Sequence, residues 1–447
     1  MEQYAANSWA PARPARRRVD AVATLLLAIA LFAALVRVPR LDTPSTMFFD
    51  EIYYAKAAQQ ILAGKEVTEE RTHPPLSKLI IAAAIAVAGD DAFGWRIAPA
   101  LAGTLLVLVV YSLAEALFGD RVIAALSALL VAVDGLVFVE SRIAKPDIFL
   151  TLFLFGAFAA FWKYLRSRLD TPDPPVDTSP DPHAGIPERR RASGRGVRWL
   201  YLAGFAAGCA IATKWTTVVP LSTIPVTMLI LRGWGRIAFP RADLRHVVAA
   251  FTVVPAAVYL LTYIPYFLLG HGVGEFVRHQ ISMYEFHATL TAPHPYQSRW
   301  SSWPLLLRPI WYEYQEVGPQ VYRGILAIGN PLVWWASLPA FALIAARAVR
   351  LRAMPETFLA AGFAISYIQY AFITRALFLY HFLPALLFLI MALAAVLARI
   401  RARVGGGVVL VFLVLAVGWV VAFYPVLSAL PIHGPRYWRL MWFGTWI

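Results

Sequence analysis

Long apolar runs separated by short polar breaks dominate the chain, and their length sets the first expectation. A helix needs roughly 20 predominantly apolar residues to cross the hydrocarbon core of a bilayer. Runs of this kind occupy 22–36, 94–117, 122–139, 147–164, 199–213, 216–231, 247–269, 330–346, 357–373, 382–398 and 407–424. The pattern predicts an all-α integral membrane protein with about 11 transmembrane helices, in one polytopic domain over 1–447. The first run follows Arg13, Arg16, Arg17 and Arg18, as the core of a secretory signal would. Arg37, Val38 and Pro39 close it in place of a small-x-small cleavage site, so it reads as an uncleaved first span.

Three segments break the series. In 37–93, Glu51–Leu62 and Leu76–Val87 carry apolar and aromatic residues at helical spacing. Both are too short to span and are expected to lie at the membrane surface. The segment 270–329 is rich in His, Trp, Tyr and Arg, and a loop of that length is either functional or disordered. Its aromatic content argues against disorder. The third, 166–198, mixes Pro, Asp and Arg without an apolar period and reads as a flexible cytoplasmic loop.

Composition agrees with the pattern. Of 447 residues, 60% are hydrophobic and only 15% are charged, where soluble domains carry about 25% charge. Mean hydropathy is +0.62. A nucleic-acid-binding module, a disordered scaffold and an ordinary cytosolic enzyme are excluded. The formal net charge of +14 therefore matters through its distribution. The N-terminal tail, Arg121, 163–198, 232–245, Arg347–Arg352 and Arg399–Arg403 hold 23 of the 40 basic residues. Dense basic charge in short connections marks the cytoplasmic side. This predicts a multi-pass plasma-membrane protein with a cytoplasmic N-terminus and an external C-terminus, and it puts 37–93 and 270–329 outside. Cys209, the one cysteine, lies in an apolar run and allows no intramolecular disulfide.

The candidate chemistry falls in the external segments. Asp50 and Glu51 open the first interfacial helix, where acids cap a helix and favour its dipole. A carboxylate among Phe48, Phe49, Tyr53 and Tyr54 also suits a general base near the membrane surface. His73-Pro74-Pro75-Leu76-Ser77-Lys78 opens the second, either as a structural turn or as a site where His73 and Lys78 meet a phosphate or sugar hydroxyl. Glu140, Arg142, Lys145 and Asp147 crowd a very short turn between two spans, where charges need a partner or a task. An Arg142–Asp147 ion pair is one solution; Arg142 holding an acidic loop residue or a lipid phosphate is another.

His287, His294, Tyr296, Arg299, Trp300, Trp303 and Arg308 lie within one stretch of the second loop. Such residues are interfacial anchors, or they hold sugar rings and phosphates, for which arginine offers a forked donor. His73, His287 and His294 show no His-x-x-His or cysteine spacing, so no metal site is expected. Asn330 with Trp334 and Trp335 marks one span entry. Tyr380 and His381, near Arg375, mark another and either anchor it or line the same external pocket.

Together these stretches resemble the protein O-mannosyltransferases, membrane enzymes of the C-type glycosyltransferase fold. The resemblance is carried by Phe49-Asp50-Glu51, His73-Pro74-Pro75-Leu76-x-Lys78, Phe93-Gly94-Trp95-Arg96, and Glu140-Ser141-Arg142 with Asp147. It continues through Phe286-His287-Ala288, His294-Pro295-Tyr296-x-Ser298, Trp303-Pro304, Arg308-Pro309, Gly329-Asn330-Pro331 with Trp334-Trp335, and Tyr380-His381-Phe382-x-Pro384. The resemblance implies transfer of mannose from polyprenyl-phosphate-mannose to Ser/Thr hydroxyls of unfolded secreted or membrane proteins, some delivered by the secretion channel. It implies inversion at the anomeric carbon with Asp50 as base, Glu51 and Arg142 as further catalytic residues, and neither a cofactor nor a metal.

The family's eukaryotic members carry a large soluble domain in the second loop, for which 270–329 is too short; the chain resembles a minimal bacterial form. The turn Ile143-Ala144-Lys145-Pro146-Asp147 departs from the family, which has apolar residues before the Asp. A lipid or glycan acceptor is the alternative within the same fold. A transporter is disfavoured, because the charges cluster in external loops and no internal repeat is present. The sequence leaves the oligomeric state open.

Overall fold

The computed structural model describes residues 16–169, 194–237 and 244–447. Arg13 and most of the 166–198 loop lie outside them. Helix α1 (Arg16–Arg37) leads into α2 (Glu51–Leu62), α3 (Leu76–Ala88), α4 (Ala92–Phe118), α5 (Arg121–Ala132), α6 (Gly135–Glu140), α7 (Asp147–Leu169) and α8 (Gly194–Thr213). Five shorter pieces follow: α9 (Val218–Leu221), α10 (Thr223–Gly233), α11 (Leu244–Val248), α12 (Val254–Thr262) and α13 (Ile264–Leu268). Then come α14 (Val273–Thr289), α15 (Pro331–Leu351), α16 (Met354–Ile368), α17 (Leu383–Val404), α18 (Gly406–Leu427) and α19 (Gly434–Leu440). Among the described residues, eight helices are long and apolar enough to cross a membrane. The apolar windows of α17 and α7 are 83% and 78% buried, whereas that of α18 is 22% buried. The first two therefore form the centre of the bundle and α18 its rim.

The two surface helices expected in 37–93 are α2 and α3. The run 122–139, expected as one span, is two pieces. Asp134 breaks it: one carboxylate oxygen caps α6 by accepting from the Val137 N–H at 3.0 Å. The other accepts from Trp334 Nε1 at 2.7 Å and the Asn330 N–H at 3.1 Å. A backbone break at membrane depth is tolerated only when its polar groups are satisfied by protein, as here. The run 357–373 also stops early, at Ile368, giving a helix of 15 residues.

Small residues set the closest approaches. A Cβ on Gly103 of α4 would sit 1.9 Å from Ser141 Oγ, so only glycine lets the 141–147 turn pack there.

The second long loop holds structure that the apolar pattern did not reveal. After α14, β1 (Ile310–Gly318) and β2 (Val321–Ala327) form an antiparallel hairpin with Tyr314 opposite Gly324. A strand from the far end of the chain, β3 (Ile432–His433), pairs with β2 through Tyr322 and Val321. The C-terminal segment is pinned further. Trp446 Nε1 donates to the Leu306 carbonyl at 2.7 Å, and Trp311 Nε1 donates to the Trp446 carbonyl at 2.8 Å.

Candidate active site

Asp50 occupies the position before α2, yet its side chain makes no capping bond. It is half-buried, and its carboxylate has no hydrogen bond or ion pair with any described residue. Burial pushes its proton affinity up, Lys145 and Lys214 pull it down, and Asp147 and Glu70 add to the rise. The residue before it, Phe49, holds φ at +49°, a left-handed conformation that costs an L-residue roughly 1–2 kcal/mol. Its ring stacks on Tyr312 at 4.3 Å and meets the rings of His294 and Tyr380 edge-on at 6.2 and 6.4 Å. That packing holds the strained turn and presents the next residue's carboxylate free.

Glu51 has the opposite environment. It is wholly buried, and both its oxygens take 2.8 Å bonds from Arg96. One also accepts from the Ala144 N–H at 3.0 Å. Arg96 spends its remaining donors on the carbonyls of Leu41, Pro44 and Thr46. Glu51 thus ties α2 to α4, the 41–46 segment and the 144 turn, and it offers no free oxygen to a substrate. Arg142 is spent similarly. It donates to the carbonyls of Arg37, Pro39 and Arg40 where the chain leaves α1, and it lies 5.3 Å over the Phe138 ring.

Asp147 does not pair with Arg142. Its oxygens lie 3.2 Å from Lys145 Nζ and 3.0 Å from Lys214 Nζ. Lys145 also meets Glu140 at 3.1 Å and the Tyr312 hydroxyl at 3.0 Å, with the Tyr380 ring 3.2 Å away. Tyr312 in turn donates to Glu140. Lys145 is therefore the centre of a buried charge cluster, beside Asp50. Lys214 and Tyr312 were not singled out from the sequence. For Lys214 a signal existed: a lysine wedged between two apolar runs, where an idle charge is costly.

The His-Pro-Pro-Leu stretch divides its roles. Lys78 is spent on the Glu70 carboxylate at 2.7 Å and on the carbonyls of Glu70 and His73 at 2.8 Å each. Burial raises the Glu70 carboxyl, but Lys78 and then His73 outweigh it and hold Glu70 well below the usual carboxylate range. His73 Nδ1 lies 3.1 Å from the Tyr54 hydroxyl, and its ring meets that of His287 at 4.9 Å. Burial pushes His287 down to about 4, and its Nε2 bonds the Thr72 carbonyl at 2.8 Å. Glu70, His73 and Lys78, with Tyr263, Tyr266 and His279, line a cavity of about 280 Å³ whose remaining walls are largely apolar.

The second loop and the later spans separate in the same way. His294 packs against Phe49 and Phe378, and its Nδ1 accepts from the Tyr296 N–H at 3.1 Å. Tyr380 and His381 are buried, with rings 4.6 Å apart. Tyr296 is half-buried under Arg308, whose guanidinium lies 5.8 Å from its ring and donates to the Pro295 carbonyl. Arg299 is exposed, and its side chain has no partner among the described residues. Trp303 is wholly buried, its Nε1 2.9 Å from Ser298 Oγ, and Asn330 is a buried cap that donates to the carbonyls of Val133 and Ala416. Neither can meet a substrate directly. Among the described residues, no three His, Cys, Asp or Glu side chains gather as a metal-ligand set.

Known proteins resemble this chain in sequence and in fold. Two family profiles match in tandem: "Dolichyl-phosphate-mannose-protein mannosyltransferase" over residues 87–269 and "C-terminal four TMM region of protein-O-mannosyltransferase" over residues 272–446. The polyprenol-phosphate-mannose–protein mannosyltransferase of Mycolicibacterium smegmatis is 27% identical, over 94% of this chain and 92% of its own. Its Mycobacterium tuberculosis counterpart is 28% identical, over 96% and 91%. Among solved structures, the Saccharomyces cerevisiae protein O-mannosyltransferase Pmt1–Pmt2 complex bound to the sugar donor superposes with a TM-score of 0.79 at 16% identity, covering 95% of this chain and 92% of that one. ArnT from Cupriavidus metallidurans bound to undecaprenyl phosphate gives 0.60 at 18% identity, covering 90% and 65%. The fold is thus that of the C-type membrane glycosyltransferases, and the chain belongs to the protein O-mannosyltransferase family.

Proposed function

We propose that the chain transfers mannose from polyprenyl-phosphate-mannose to Ser/Thr hydroxyls of polypeptides, at the external face of the plasma membrane. The observation that carries this reading is the unpartnered Asp50 carboxylate, set beside a cluster in which Glu51, Glu140, Asp147 and Glu70 all have partners. Such a group is open to an incoming hydroxyl, and its raised proton affinity suits a general base. The acceptor oxygen attacks the anomeric carbon as its proton passes to Asp50. The bond from that carbon to the phosphate oxygen breaks, and polyprenyl phosphate leaves with the electron pair. Attack opposite the leaving group inverts the centre.

Lys214, with Lys145 behind it, supplies positive field toward the departing phosphate, so the chain's own cations serve where a metal would otherwise be needed. The 280 Å³ cavity beside His73 offers apolar walls for the first isoprene units of the donor. Glu51, Arg96 and Arg142 act as positioning residues that fix the turn carrying Asp50. External placement of this end, with a cytoplasmic N-terminus, is supported by the 23 of 40 basic residues assigned to the opposite connections. Unfolded acceptors would then come from the secretion pathway.

The test is transfer of labelled mannose from polyprenyl-phosphate-mannose to a Thr-rich peptide, by the native chain and by Asp50→Asn. Native transfer that falls by about 10²–10⁴-fold in the variant, with the melting temperature unchanged, is the expected result. Full turnover by Asp50→Asn rejects the base. Transfer to membrane lipids but not to peptide rejects the acceptor class.

A further inference from the structure

A groove remains beside this site that the transfer chemistry does not use. It holds about 590 Å³ between the 297–301 segment of the second loop and the 373–377 segment that precedes Tyr380 and His381. The two segments are joined by a backbone bond from the Ser298 N–H to the Leu377 carbonyl at 2.8 Å. Its walls present Gln297, Ser298, Arg299, Ser301, Thr374 and Arg375, and no lining residue is acidic.

The two arginines distinguish it. The cations buried around the site are each bonded to a carboxylate or to backbone carbonyls, as described for Lys78, Arg96, Arg142, Lys145 and Lys214. Arg299 and Arg375 have no ion-pair or hydrogen-bond partner among the described residues, although Arg375 is half-buried. A short chain of packed rings links the groove to Phe49. Leu377 neighbours Phe378, whose ring meets His294 edge-on at 4.9 Å, and His294 meets Phe49, the residue before Asp50. Arg375 lies close enough to depress the proton affinity of His287.

We propose that this groove takes the flanking residues of the acceptor polypeptide and selects acidic ones, Arg299 and Arg375 receiving the carboxylates of Asp or Glu near the modified Ser or Thr. The proposal rests on the protein-acceptor reading above. Hydroxyl and amide groups along the walls suit an extended backbone, which carries one donor and one acceptor per residue. Arginine's fork matches a carboxylate. A donor phosphate would need the same anion chemistry, so the test separates the two sources.

The experiment uses the full chain in nanodiscs and three labelled peptides of equal length, with Asp, Asn or Lys flanking a single Thr. Binding without donor is followed by fluorescence anisotropy, and transfer by acceptor KM and donor KM. The native protein is expected to bind the Asp peptide about fivefold more tightly than the Asn peptide, the size of one partly screened charge pair. The Lys peptide should bind weakest, and added salt should narrow the differences. In Arg299→Gln/Arg375→Gln the order should collapse to parity, and Arg375→Lys should restore part of it.

Equal binding of the three peptides by the native chain overturns the proposal, as does an unchanged order in the double variant. A raised donor KM with the peptide order intact assigns the groove to the donor phosphate and overturns it as well. Anisotropy that keeps the acidic preference while no peptide is mannosylated upholds the groove and counts instead against the transferase reading.

Discussion

Asp50 and Glu51 are adjacent in the chain and opposite in circumstance. Glu51 is sealed under Arg96, whereas Asp50 is strained into the open by Phe49 at φ +49°. The difference has a pH signature. Burial raises the proton affinity of Asp50, and Lys145 and Lys214 restrain that rise. A base must be ionised to work, so kcat/KM should fall on the acid side through a pKa above the ordinary carboxylate range. Removing a restraining cation makes ionisation harder. In Lys214→Gln the acid limb should therefore move to higher pH; an unchanged or lowered limb would point to a different base. Lys214 is preferable to Lys145 for this test, because Asp147 keeps its Lys145 partner at 3.2 Å.

At this scale the sequence announced which residues matter better than what each does. Phe49, the residue before Asp50, meets Tyr380, and His73 bonds Tyr54 in the helix that Asp50 opens. That Arg142 and Asn330 are spent internally depends on partners 102 and 197 positions away, the carbonyls of Arg40 and Val133, which no local pattern encodes; Lys78 and Trp303 find theirs within eight residues.

Elements were legible where periodicity and length agreed. α2 and α3 announced themselves as short apolar stretches flanked by polar turns. α5 and α6 did not, because a single aspartate in an apolar run breaks the helix only if Trp334 and Asn330 arrive to satisfy it. The hairpin went unread inside the aromatic-rich 270–329 segment, although Gly318-Pro319-Gln320 between β-forming stretches was a turn signal. The Glu51–Arg96 pair is the joint between α2 and α4, and it carries an energetic expectation. Removing one partner of a buried ion pair typically costs about 3–5 kcal/mol, because the other charge is stranded. Arg96→Met should lower the melting temperature of the detergent-solubilised protein markedly. Asp50→Asn, at a residue with no partner to strand, should leave it unchanged. Equal melting of all three proteins would contradict the joint.

For the whole molecule, the basic residues predict orientation and the structure supplies a place to test it. The turn between β1 and β2, at Gln320, is exposed and lies in the loop assigned to the outside. Gln320→Cys should react with a membrane-impermeant maleimide added to intact cells. Cys209 is buried and should contribute little background. Labelling only after the membrane is opened would invert the topology and remove the external site.

The pairing of β3 with β2, and of Trp446 with Leu306 and Trp311, joins residues separated by more than a hundred positions. Seen in time, that stitch is an ordering rule for biosynthesis. The hairpin that positions Tyr312 over Lys145 leaves the ribosome long before the strand that completes its sheet. On the proposed orientation the candidate site is finished only after the last span has been inserted and its tail has crossed, so a chain stalled in translation would be embedded in the membrane with its three-stranded sheet incomplete.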